Sequence, residues 1–389
     1  MYDNIEDAIL SLIGRDIMQD HVLVVGAGLA GATAARILAE SNLRVIVVER
    51  RKHVGGNCYD YTDENGITVH LYGPHIFHTN SREVWNFVNR FCEFRYYQHR
   101  VLSFVEGRFV PFPINRDTIC EVFGVNIGVE EVEDFLKDEV RRSNFNDPPK
   151  NFRDVVVSQV GERLYELFFK NYTIKQWNRD PEELSPDVAK RIPVRYGRDD
   201  RYFSDRYQGI PARGYTHLVE RILDHPKISI VTNMDYFELR DHVKPKLTVY
   251  TGELDRFFDC VYGKLEYRSL RLVFKTYDVE YYQPVAVVNY PNDYDWTRIT
   301  EFKHMTGERS SRTTVLFEYP SAEGEPFYVV LTRDNIERRE KYMEEVKKLE
   351  KSGEYIFVGR LAEYLYYNMD QVIEASIRKV SEWLKNRIR

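Results

Sequence analysis

The stretch His21-Val-Leu-Val-Val-Gly26-Ala-Gly28-Leu-Ala-Gly31 decides the fold. Its β-branched run predicts a strand, its glycines form the pattern GxGxxG, and residues 32–39 predict a helix. A second predicted strand, residues 45–48, leads into Glu49, at about the 20-residue spacing that is usual for a ribose-binding acid. The order of these elements predicts a βαβ unit that binds a dinucleotide, with its pyrophosphate on the helix N-terminus and its ribose diol on the carboxylate.

The residues after this unit favour FAD as the dinucleotide. An acid at Glu49 disfavours the 2′-phosphate of NADP, which leaves FAD or NAD. A second glycine pair, Gly55-Gly56-Asn57, follows the acid and resembles the glutathione-reductase-like FAD families. Those families close the flavin site with a C-terminal strand, a glycine and a helix, which Ile356-Phe-Val-Gly359-Arg360 and the apolar stripe of residues 372–380 match. That helix either serves packing alone or points its N-terminal dipole at a reduced flavin.

Composition limits the class of protein. The chain has 389 residues, of which 43% are hydrophobic and 30% charged, so we expect a globular protein of two or three subdomains. The net charge of −6 argues against a nucleic-acid-binding protein. The four cysteines form no CxxC pair, which is typical of reduced thiols in a cytoplasmic protein. We find no signal peptide and no apolar run of about 18 residues, and interpret residues 1–20 as an N-terminal extension of unknown role.

Four further segments, in this order, resemble bacterial UDP-galactopyranose mutases: Gly73-Pro-His75-Ile-Phe-His78-Thr-Asn80, Asn171-Tyr-Thr-Ile-Lys-Gln-Trp177, Tyr202-Phe-Ser-Asp-Arg-Tyr-Gln-Gly-Ile-Pro211 and Gly359-Arg-Leu-Ala-Glu-Tyr-Leu-Tyr-Tyr367. The likeness runs from about His21 to the C-terminus. It implies interconversion of UDP-galactopyranose and UDP-galactofuranose through an adduct of the sugar on N5 of the reduced flavin, with no net redox change. It also implies NADPH or NADH as reductant, a homodimer, and a part in making galactofuranose for cell-wall polysaccharides.

The same resemblance implies the substrate-binding residues. Arg298 and Arg191, the latter on a mobile lid, would contact the diphosphate as catalytic groups, because guanidinium forks suit phosphate oxygens. The other substrate residues are Phe168, Tyr172, Thr173 and Trp177 around the uracil, Tyr202, Tyr328 and Tyr366 on the diphosphate, and His99 and Asn289. From spacing alone, Phe168 and Tyr172 fit equally well a core stripe that continues Leu164 and Leu167. His99 and Asn368 depart from the asparagine and aspartate found in relatives, and Phe327 from a tyrosine, which puts fine contacts in doubt.

The resemblance also implies the cofactor residues, which lie on the two glycine loops, the histidine loop and the C-terminal segment. They are Gly26, Gly28, Ala30, Gly31, Glu49, Arg50, Gly56, Asn57, His75, Ile76, Arg360, Tyr367, Asn368, Met369, Asp370, Gln371 and Val372. The resemblance sets the histidine loop against the flavin and implies a catalytic part for His78 near N5. His75 and His78 could suggest a metal pair, but the sequence offers no third ligand, so we predict no metal.

We therefore expect an α/β protein with a glutathione-reductase-like, Rossmann-type FAD-binding domain, an inserted helical domain and an antiparallel sheet domain. The predicted FAD domain is discontinuous (residues 21–95, 205–262 and 340–389), residues 115–200 form the helical domain with the lid, and residues 96–114 and 263–335 form the sheet domain. A flavin amine oxidase or desaturase of the same fold is the alternative, followed by a non-enzymatic binding protein on this scaffold.

Overall fold

The computed structural model describes residues 20–191 and 193–387, without the side chains of Lys190 and Arg191. The predicted N-terminal extension lies outside the described residues, apart from Asp20. The strands are β1 His21–Val25, β2 Arg44–Glu49, β3 Asp60–Thr62, β4 Thr68–His70, β5 Phe77–Thr79, β6 Phe94–Tyr96, β7 Val101–Val105, β8 Arg108–Phe112, β9 Tyr207–Pro211, β10 Ile228–Thr232, β11 Leu247–Tyr250, β12 Tyr267–Tyr277, β13 Val287–Asn289, β14 Arg298–Glu301, β15 Thr313–Ser321, β16 Tyr328–Val329 and β17 Tyr355–Phe357.

The helices lie between these strands and after the last of them. The α-helices are α1 Leu29–Glu40, α2 Arg82–Asn89, α3 Arg116–Phe123, α4 Val132–Arg141, α5 Phe152–Val160, α6 Glu162–Leu164, α7 Asn171–Trp177, α8 Tyr215–Leu223, α9 Tyr236–Leu239, α10 Leu254–Phe257, α11 Lys303–Thr306, α12 Arg333–Ser352 and α13 Met369–Arg387. The π-helix Tyr165–Lys170 precedes α7, and 3₁₀ turns cover Gly56–Cys58, Val129–Glu131, Pro181–Glu183, Pro186–Arg191 and Arg240–His242. No helix in the described ranges is both long enough and apolar enough to cross a membrane.

A parallel five-stranded sheet in the order β10-β2-β1-β11-β17 carries the predicted nucleotide-binding unit. Its central strand is buried on both faces, which is usual for a parallel sheet: Val22 and Val24 belong to one apolar core, and Leu23 and Val25 to another. Small residues of α1 let α13 pack closely against that helix. The predicted Rossmann-type α/β class is confirmed, and β17 with α13 supplies its C-terminal strand and helix.

A second, mostly antiparallel sheet runs in the order β16-β12-β15-β14-β13-β7-β8. Only the pairing of β13 with β7 is parallel among the strand pairs of this sheet in the described residues. One face packs on the helical segment through a large core that includes Leu316, Val287 and Phe168. The sheet therefore holds the helices of residues 116–191 in place on one side of it.

The helical segment differs from the sequence expectation at two places. The apolar spacing of Val129, Val132, Phe135, Leu136 and Val140 predicts one helix. The structure instead has a 3₁₀ turn at Val129–Glu131, and Val129 is 48% exposed, outside the buried stripe of Val132 and Leu136. Regular α-helical spacing was expected between Phe168 and Tyr172, whereas a π-helix ends just before α7. The wider π turn places Phe168 in the core, 3% exposed, while Tyr172 stays half-buried.

Candidate functional site

The glycine turn after β1 opens a cleft at the carboxyl ends of the parallel strands. Gly26 has φ +100°, and a Cβ at this position would lie 2.2 Å from Thr251 Oγ1. A Cβ on Gly56 would lie 2.9 Å from the Cα of Gly28, so the two glycine loops approach each other closely only because neither carries a side chain. Gly28 is also the N-cap of α1, whose first N–H groups have no partner within the helix. This wall of the cleft is therefore formed largely by backbone atoms of the two glycine loops and the first turn of α1.

Glu49 lines the same cleft and is fixed by two backbone N–H groups. The residue is 7% exposed. The Ala27 N–H donates to Oε2 at 2.8 Å, and the Arg51 N–H donates to Oε1 at 2.9 Å. Each carboxylate oxygen keeps a further lone pair, so the side chain can still accept hydrogen bonds from a diol in the cleft.

Most of the predicted cofactor residues line this cleft. They are Gly26, Gly28, Ala30, Glu49, Arg50, Gly56, Asn57, His75, Arg360, Tyr367, Asn368, Met369 and Val372. Of the residues predicted in the described ranges, Gly31, Ile76, Asp370 and Gln371 are not among the lining residues. Gly31 packs α1 onto the turn, since its Cβ would lie 1.9 Å from the Gly26 carbonyl oxygen. Gln371 Oε1 accepts a hydrogen bond from the Asn368 N–H at 2.9 Å at the start of α13.

The second wall of the cleft was missed in the sequence. It consists of residues 234–237 and 250–253, together with Arg51 and Arg256. Residues 234–237 come just after β10, and residues 250–253 begin at the last residue of β11. The carboxyl ends of parallel strands meet at one edge of a sheet, so the two segments lie side by side. Recognising residues 228–232 and 247–250 as strands of the same parallel sheet was therefore the signal that could have found this wall.

Arg298 lies in a cross-strand row of polar residues on the second sheet. Asn289 on β13 and Glu318 on β15 are its direct neighbours in register, so that the three side chains share one face. Arg298 Nε donates to Glu318 Oε1 at 2.7 Å, and the two side chains are 24% and 1% exposed. Burial favours the neutral guanidinium, but the charge of Glu318 prevails and raises the pKa of Arg298 well above its ordinary value. Arg298 is a permanent cation in this site.

Two tyrosines border this cation. Tyr172 of α7 and Tyr328 of β16 both lie close enough to interact electrostatically with Arg298. Burial raises the pKa of Tyr328 to about 12, although Arg298 opposes the shift, and burial likewise raises the pKa of Tyr172. Both hydroxyls therefore stay protonated at neutral pH and are available as hydrogen-bond donors beside the guanidinium.

An aromatic group connects Arg298 with the cofactor cleft. Tyr328 and Tyr366 stack with ring centroids 5.9 Å apart at 12°, and Trp177 meets their rings edge-on at 6.2 and 6.1 Å. The guanidinium of Arg360, which lines the cleft, lies 5.8 Å from the Tyr328 ring and 5.3 Å from that of Tyr366. The predicted substrate tyrosines and the predicted cofactor arginine are thus in contact.

Tyr202 and His99 lie near the same cation and tyrosine, because His99 interacts electrostatically with Arg298 and Tyr202 with Tyr172. The Tyr202 N–H donates to the His99 carbonyl at 2.8 Å, and the two rings meet edge-on at 5.7 Å. Tyr202 also packs on Phe112, whose ring stacks on Phe168 at 6.3 Å, so Phe168 lies one ring away from Tyr202. Thr173 is 3% exposed on the same helix as Tyr172.

The two loop histidines have different surroundings. Burial, with His70 and Arg298 among the nearby groups, lowers the pKa of His75 to about 3, and its Nδ1 lies 2.8 Å from the Gly73 carbonyl. His78 Nδ1 lies 3.0 Å from Asp205 Oδ2, a partner that could not be identified from the sequence. Burial, followed by the charge of Arg298, lowers the pKa of His99 to about 3 as well. His75 and His99 are therefore neutral at pH 7.

Arg191 ends the 3₁₀ turn Pro186–Arg191, and its side chain lies outside the described part of the chain. Within residues 20–191 and 193–387, no group of three His, Cys, Asp or Glu side chains is arranged to hold a metal ion.

The cleft itself fits a dinucleotide such as FAD. It offers glycine backbone for a pyrophosphate, a fixed carboxylate for a ribose, and a helix N-terminus at each of α1 and α13.

Comparison with known proteins relates this chain to one family. Residues 167–366 match the family described as UDP-galactopyranose mutase, and residues 24–91 match the NAD(P)-binding Rossmann-like domain. A solved structure described as reduced UDP-galactopyranose mutase has the same fold, with a TM-score of 0.75 and 17% identity over 94% of this chain and 96% of that one. Similarity to the flavin-containing amine oxidase B of Cavia porcellus covers only 61 residues, 16% of this chain.

Two curated relatives are similar over nearly their whole length. A Klebsiella pneumoniae protein named "Probable UDP-galactopyranose mutase" is 38% identical over 94% of this chain and 95% of its own. A dTDP-fucopyranose mutase of Escherichia coli is 36% identical over 94% of this chain and 99% of its own. The predicted resemblance is therefore confirmed along the chain and not only in its nucleotide-binding turn, and the chain belongs to the UDP-galactopyranose mutase family.

Proposed function

We propose that this chain is an isomerase that interconverts UDP-galactopyranose and UDP-galactofuranose. The observation that carries the proposal is that Arg298, bordered by Tyr172 and Tyr328, lies next to the cofactor cleft through Arg360. A cation between phenolic donors suits a diphosphate, and a diphosphate leaving group beside a redox cofactor suits a sugar-nucleotide mutase better than an amine oxidase.

FAD is the proposed cofactor, with residues 26–31, 49–57 and 367–372 as its binding segments and NADPH or NADH as its reductant. The fixed carboxylate of Glu49 would accept the ribose hydroxyls, and the exposed backbone at Gly28 and Gly56 would accommodate the pyrophosphate. When bound and reduced, FAD supplies the nucleophile at N5, so the protein does not need a nucleophilic carboxylate of its own.

The diphosphate is the proposed ligand of Arg298, Arg191 and the tyrosine hydroxyls. UDP gains negative charge when the anomeric C–O bond breaks, and a fixed cation stabilises that charge where it develops. Tyr328 contributes a protonated hydroxyl, because burial raises its pKa to about 12. Arg191, as the lid residue, would add a second guanidinium when the substrate is bound.

The nucleoside and sugar are the proposed ligands of the remaining residues. Phe168, Tyr172, Thr173 and Trp177 would hold the uracil, and Asn289 and His99 would contact the sugar nucleotide directly. The hydroxyls of Tyr202 and Tyr366 would join that of Tyr328 on the diphosphate. His99 is neutral at pH 7 because burial lowers its pKa to about 3, so it offers one donor and one acceptor to sugar hydroxyls without adding charge. A neutral imidazole here leaves Arg298 as the dominant cation of this side of the site.

The wider setting is part of the same proposal. We expect a cytoplasmic homodimer that makes galactofuranose available for cell-wall polysaccharides. The helical segment 115–200 would carry the substrate lid, and the discontinuous segments 21–95, 205–262 and 340–389 would bind FAD. Size-exclusion chromatography with light scattering would test the dimer independently of the reaction.

The test is chromatography of UDP-galactofuranose after incubation with the purified, FAD-loaded protein, with and without dithionite. Formation of UDP-galactopyranose only under reducing conditions is the expected result, and Arg298→Ala is the negative control. A yellow, reducible protein that leaves the sugar nucleotide unchanged would rule out the mutase reaction with this substrate.

The similarity to a dTDP-fucopyranose mutase calls for a second arm of that experiment. dTDP-fucofuranose is offered under the same conditions, alone and in competition with UDP-galactofuranose. We expect a higher kcat/KM for the UDP sugar; the opposite order would retain the mutase chemistry and change the proposed substrate.

A further inference from the structure

We propose that His78 and Asp205 position Tyr202 for substrate binding by holding the segment of residues 202–206, named the strap here, against the substrate site. This inference rests on the proposed function, since it assigns Tyr202 to the diphosphate. It gives His78 a positioning part instead of the acid–base part that a histidine near a flavin suggests.

The strap lies directly before β9, and β9 pairs with β5, the strand that carries His78. His78 Nδ1 lies 3.0 Å from Asp205 Oδ2. The imidazole also stacks on the Phe203 ring, with centroids 3.7 Å apart and planes at 15°. One ring nitrogen and one face of His78 are therefore engaged by two residues of the strap.

The second carboxylate oxygen of Asp205 extends the connection. Asn80 Nδ2 donates to Asp205 Oδ1 at 2.8 Å, and Asn80 Oδ1 accepts the Arg206 N–H at 2.9 Å. From within the sheet, Gln208 Nε2 donates to the Phe203 and Asp205 carbonyls at 3.3 and 2.8 Å. Both side-chain oxygens of Asp205 and two carbonyls of the strap are thus bound by residues of β5, its following turn, and β9.

The strap connects these contacts to the substrate site. Phe203 lies between the ring of His78 and that of His99, whose centroid is 6.0 Å away at 25°. Tyr202 donates its N–H to the His99 carbonyl, and the charge of Arg298 acts on His99. Loosening the strap would therefore move the Tyr202 hydroxyl relative to Arg298, and a displacement of about 1 Å is enough to weaken binding of an oriented ligand.

The cofactor cleft supports this division of roles. His75 is among the residues that line the cleft, whereas His78, in the same described segment, is not. The ring of His78 instead stacks on that of Phe203, and its Nδ1 lies within hydrogen-bond distance of Asp205. The side chain of His78 therefore contacts the strap, and the nearer candidate for contact with the flavin is His75.

The test uses FAD-loaded protein and the variants His78→Gln, Asp205→Asn, Tyr202→Phe and Asp205→Asn combined with Tyr202→Phe. We expect Asp205→Asn and His78→Gln to raise KM for UDP-galactofuranose by about 5- to 20-fold, with kcat within about threefold and the pH profile of kcat unchanged. In the Tyr202→Phe background, Asp205→Asn should change KM by less than about twofold, because the tyrosine through which it acts has already lost its hydroxyl.

A matched control is His304→Gln. His304 Nε2, on α11, lies 3.2 Å from Oε2 of Glu301 at the end of β14, so this variant removes a histidine–carboxylate pair that does not contact the strap. We expect unchanged KM and kcat for the folded fraction. A loss of about 100-fold or more in kcat of His78→Gln, with one limb of the pH profile removed, would overturn the proposal in favour of acid–base catalysis. Equal KM values for Asp205→Asn and wild type would overturn it as well.

Hydrogen exchange separates this inference from the proposed function. Amides of residues 203–208 should exchange at least about tenfold faster in Asp205→Asn than in wild type, with no substrate present. If wild type turns over neither sugar nucleotide but the exchange difference appears, the proposed function fails while the strap contact stands. Unchanged exchange in these amides would overturn the strap itself, whatever the activity.

Discussion

Arg298 Nε and Glu318 Oε1 are 2.7 Å apart, and the carboxylate of this pair is almost completely buried. Thr300 Oγ1 also donates to Glu318 Oε1, at 3.4 Å. Nε is the only guanidinium nitrogen of Arg298 with a hydrogen-bond partner among the described residues, so the two terminal nitrogens can face a ligand. Glu318 therefore fixes the direction in which Arg298 presents its charge.

We expect Glu318→Gln to lower kcat/KM by about 10- to 100-fold, which corresponds to about 1.4 to 2.8 kcal/mol of lost transition-state stabilisation. The amide oxygen can still accept the Nε–H, but the charge that keeps the guanidinium in this orientation is gone. Steady-state kinetics on the reduced protein measures the effect. Glu301→Gln is the control: Glu301 is equally buried on β14, yet it bonds to Thr313 and to the backbone of Tyr282 and Gln283. A similar kinetic loss in both variants would contradict the prediction.

Three buried histidines should make the fold sensitive to acid. Burial lowers the pKa of His70, His75 and His99 to about 3 each, below the ordinary value of 6.5. Between pH 6.5 and 3 the unfolded chain therefore binds more protons than the folded one. Stability is fully present above pH 6.5 and falls as the pH drops, by about 1.4 kcal/mol per pH unit for each histidine at most. Urea unfolding of the FAD-saturated protein at several pH values measures the slope.

His70→Gln isolates one of the three contributions. His70 is fully buried and does not line the cleft, and its Nδ1 accepts the His75 N–H at 3.0 Å, a bond that a glutamine oxygen can replace. Between pH 6 and 4 the variant should show a slope smaller by about one proton, and at pH 8 only the difference in packing should remain. An unchanged slope would mean that His70 is protonated in the folded protein.

The nucleotide-binding half of the site was predictable because its signals are local. Gly26, Gly28 and Glu49 are close in sequence, and the glycine spacing alone indicates where backbone must approach a phosphate. The C-terminal strand and the helix after Gly359 could be placed for the same reason, as a short apolar run, a glycine and a periodic stripe. These motifs also gave most of the residues that line the cleft.

The partners of the functional residues were not predictable from local pattern. Glu318 meets Arg298 only because β14 and β15 pair in one register, and Asp205 meets His78 only through the pairing of β5 with β9. A shift of one residue in either register would turn these side chains to the other face. The π-helix before Tyr172 was also hidden, since its apolar residues are equally compatible with an α-helix.

Another prediction concerns retention of the cofactor. Glu325, in the turn between β15 and β16, forms ion pairs with Arg50 and Arg51, and both arginines line the cofactor cleft. We expect Glu325→Gln to speed FAD dissociation by about two- to fivefold, because two partly exposed ion pairs contribute about 1 kcal/mol together. The rise of flavin fluorescence after dilution measures the rate. Glu323→Gln, in the same turn, is the control, and an equal rate for Glu325→Gln and wild type would show that the turn does not restrain the cofactor.

The last prediction concerns Lys175, which links α7 to the turn before β14, the strand that carries Arg298. Its Nζ donates to the carbonyls of Tyr290, Tyr294 and Trp296 at 2.5, 2.9 and 3.1 Å, all in the turn between β13 and β14. Lys175→Met removes these bonds and leaves the carbonyls without their donor, so we expect the free energy of unfolding to fall by about 2–4 kcal/mol. Thermal or urea unfolding measures this change.

The same variant should also raise KM. Lys175 is three residues after Tyr172, and the turn that it holds leads directly into Arg298, so the two sides of the substrate site would lose their fixed separation. An increase in KM of about 5- to 20-fold is expected for Lys175→Met when the folded fraction is assayed. Lys170→Met is the control, because Lys170 pairs only with Glu166 on the exposed side of the π-helix within the described contacts. A lower stability with unchanged KM would show that the turn supports the sheet without positioning Arg298.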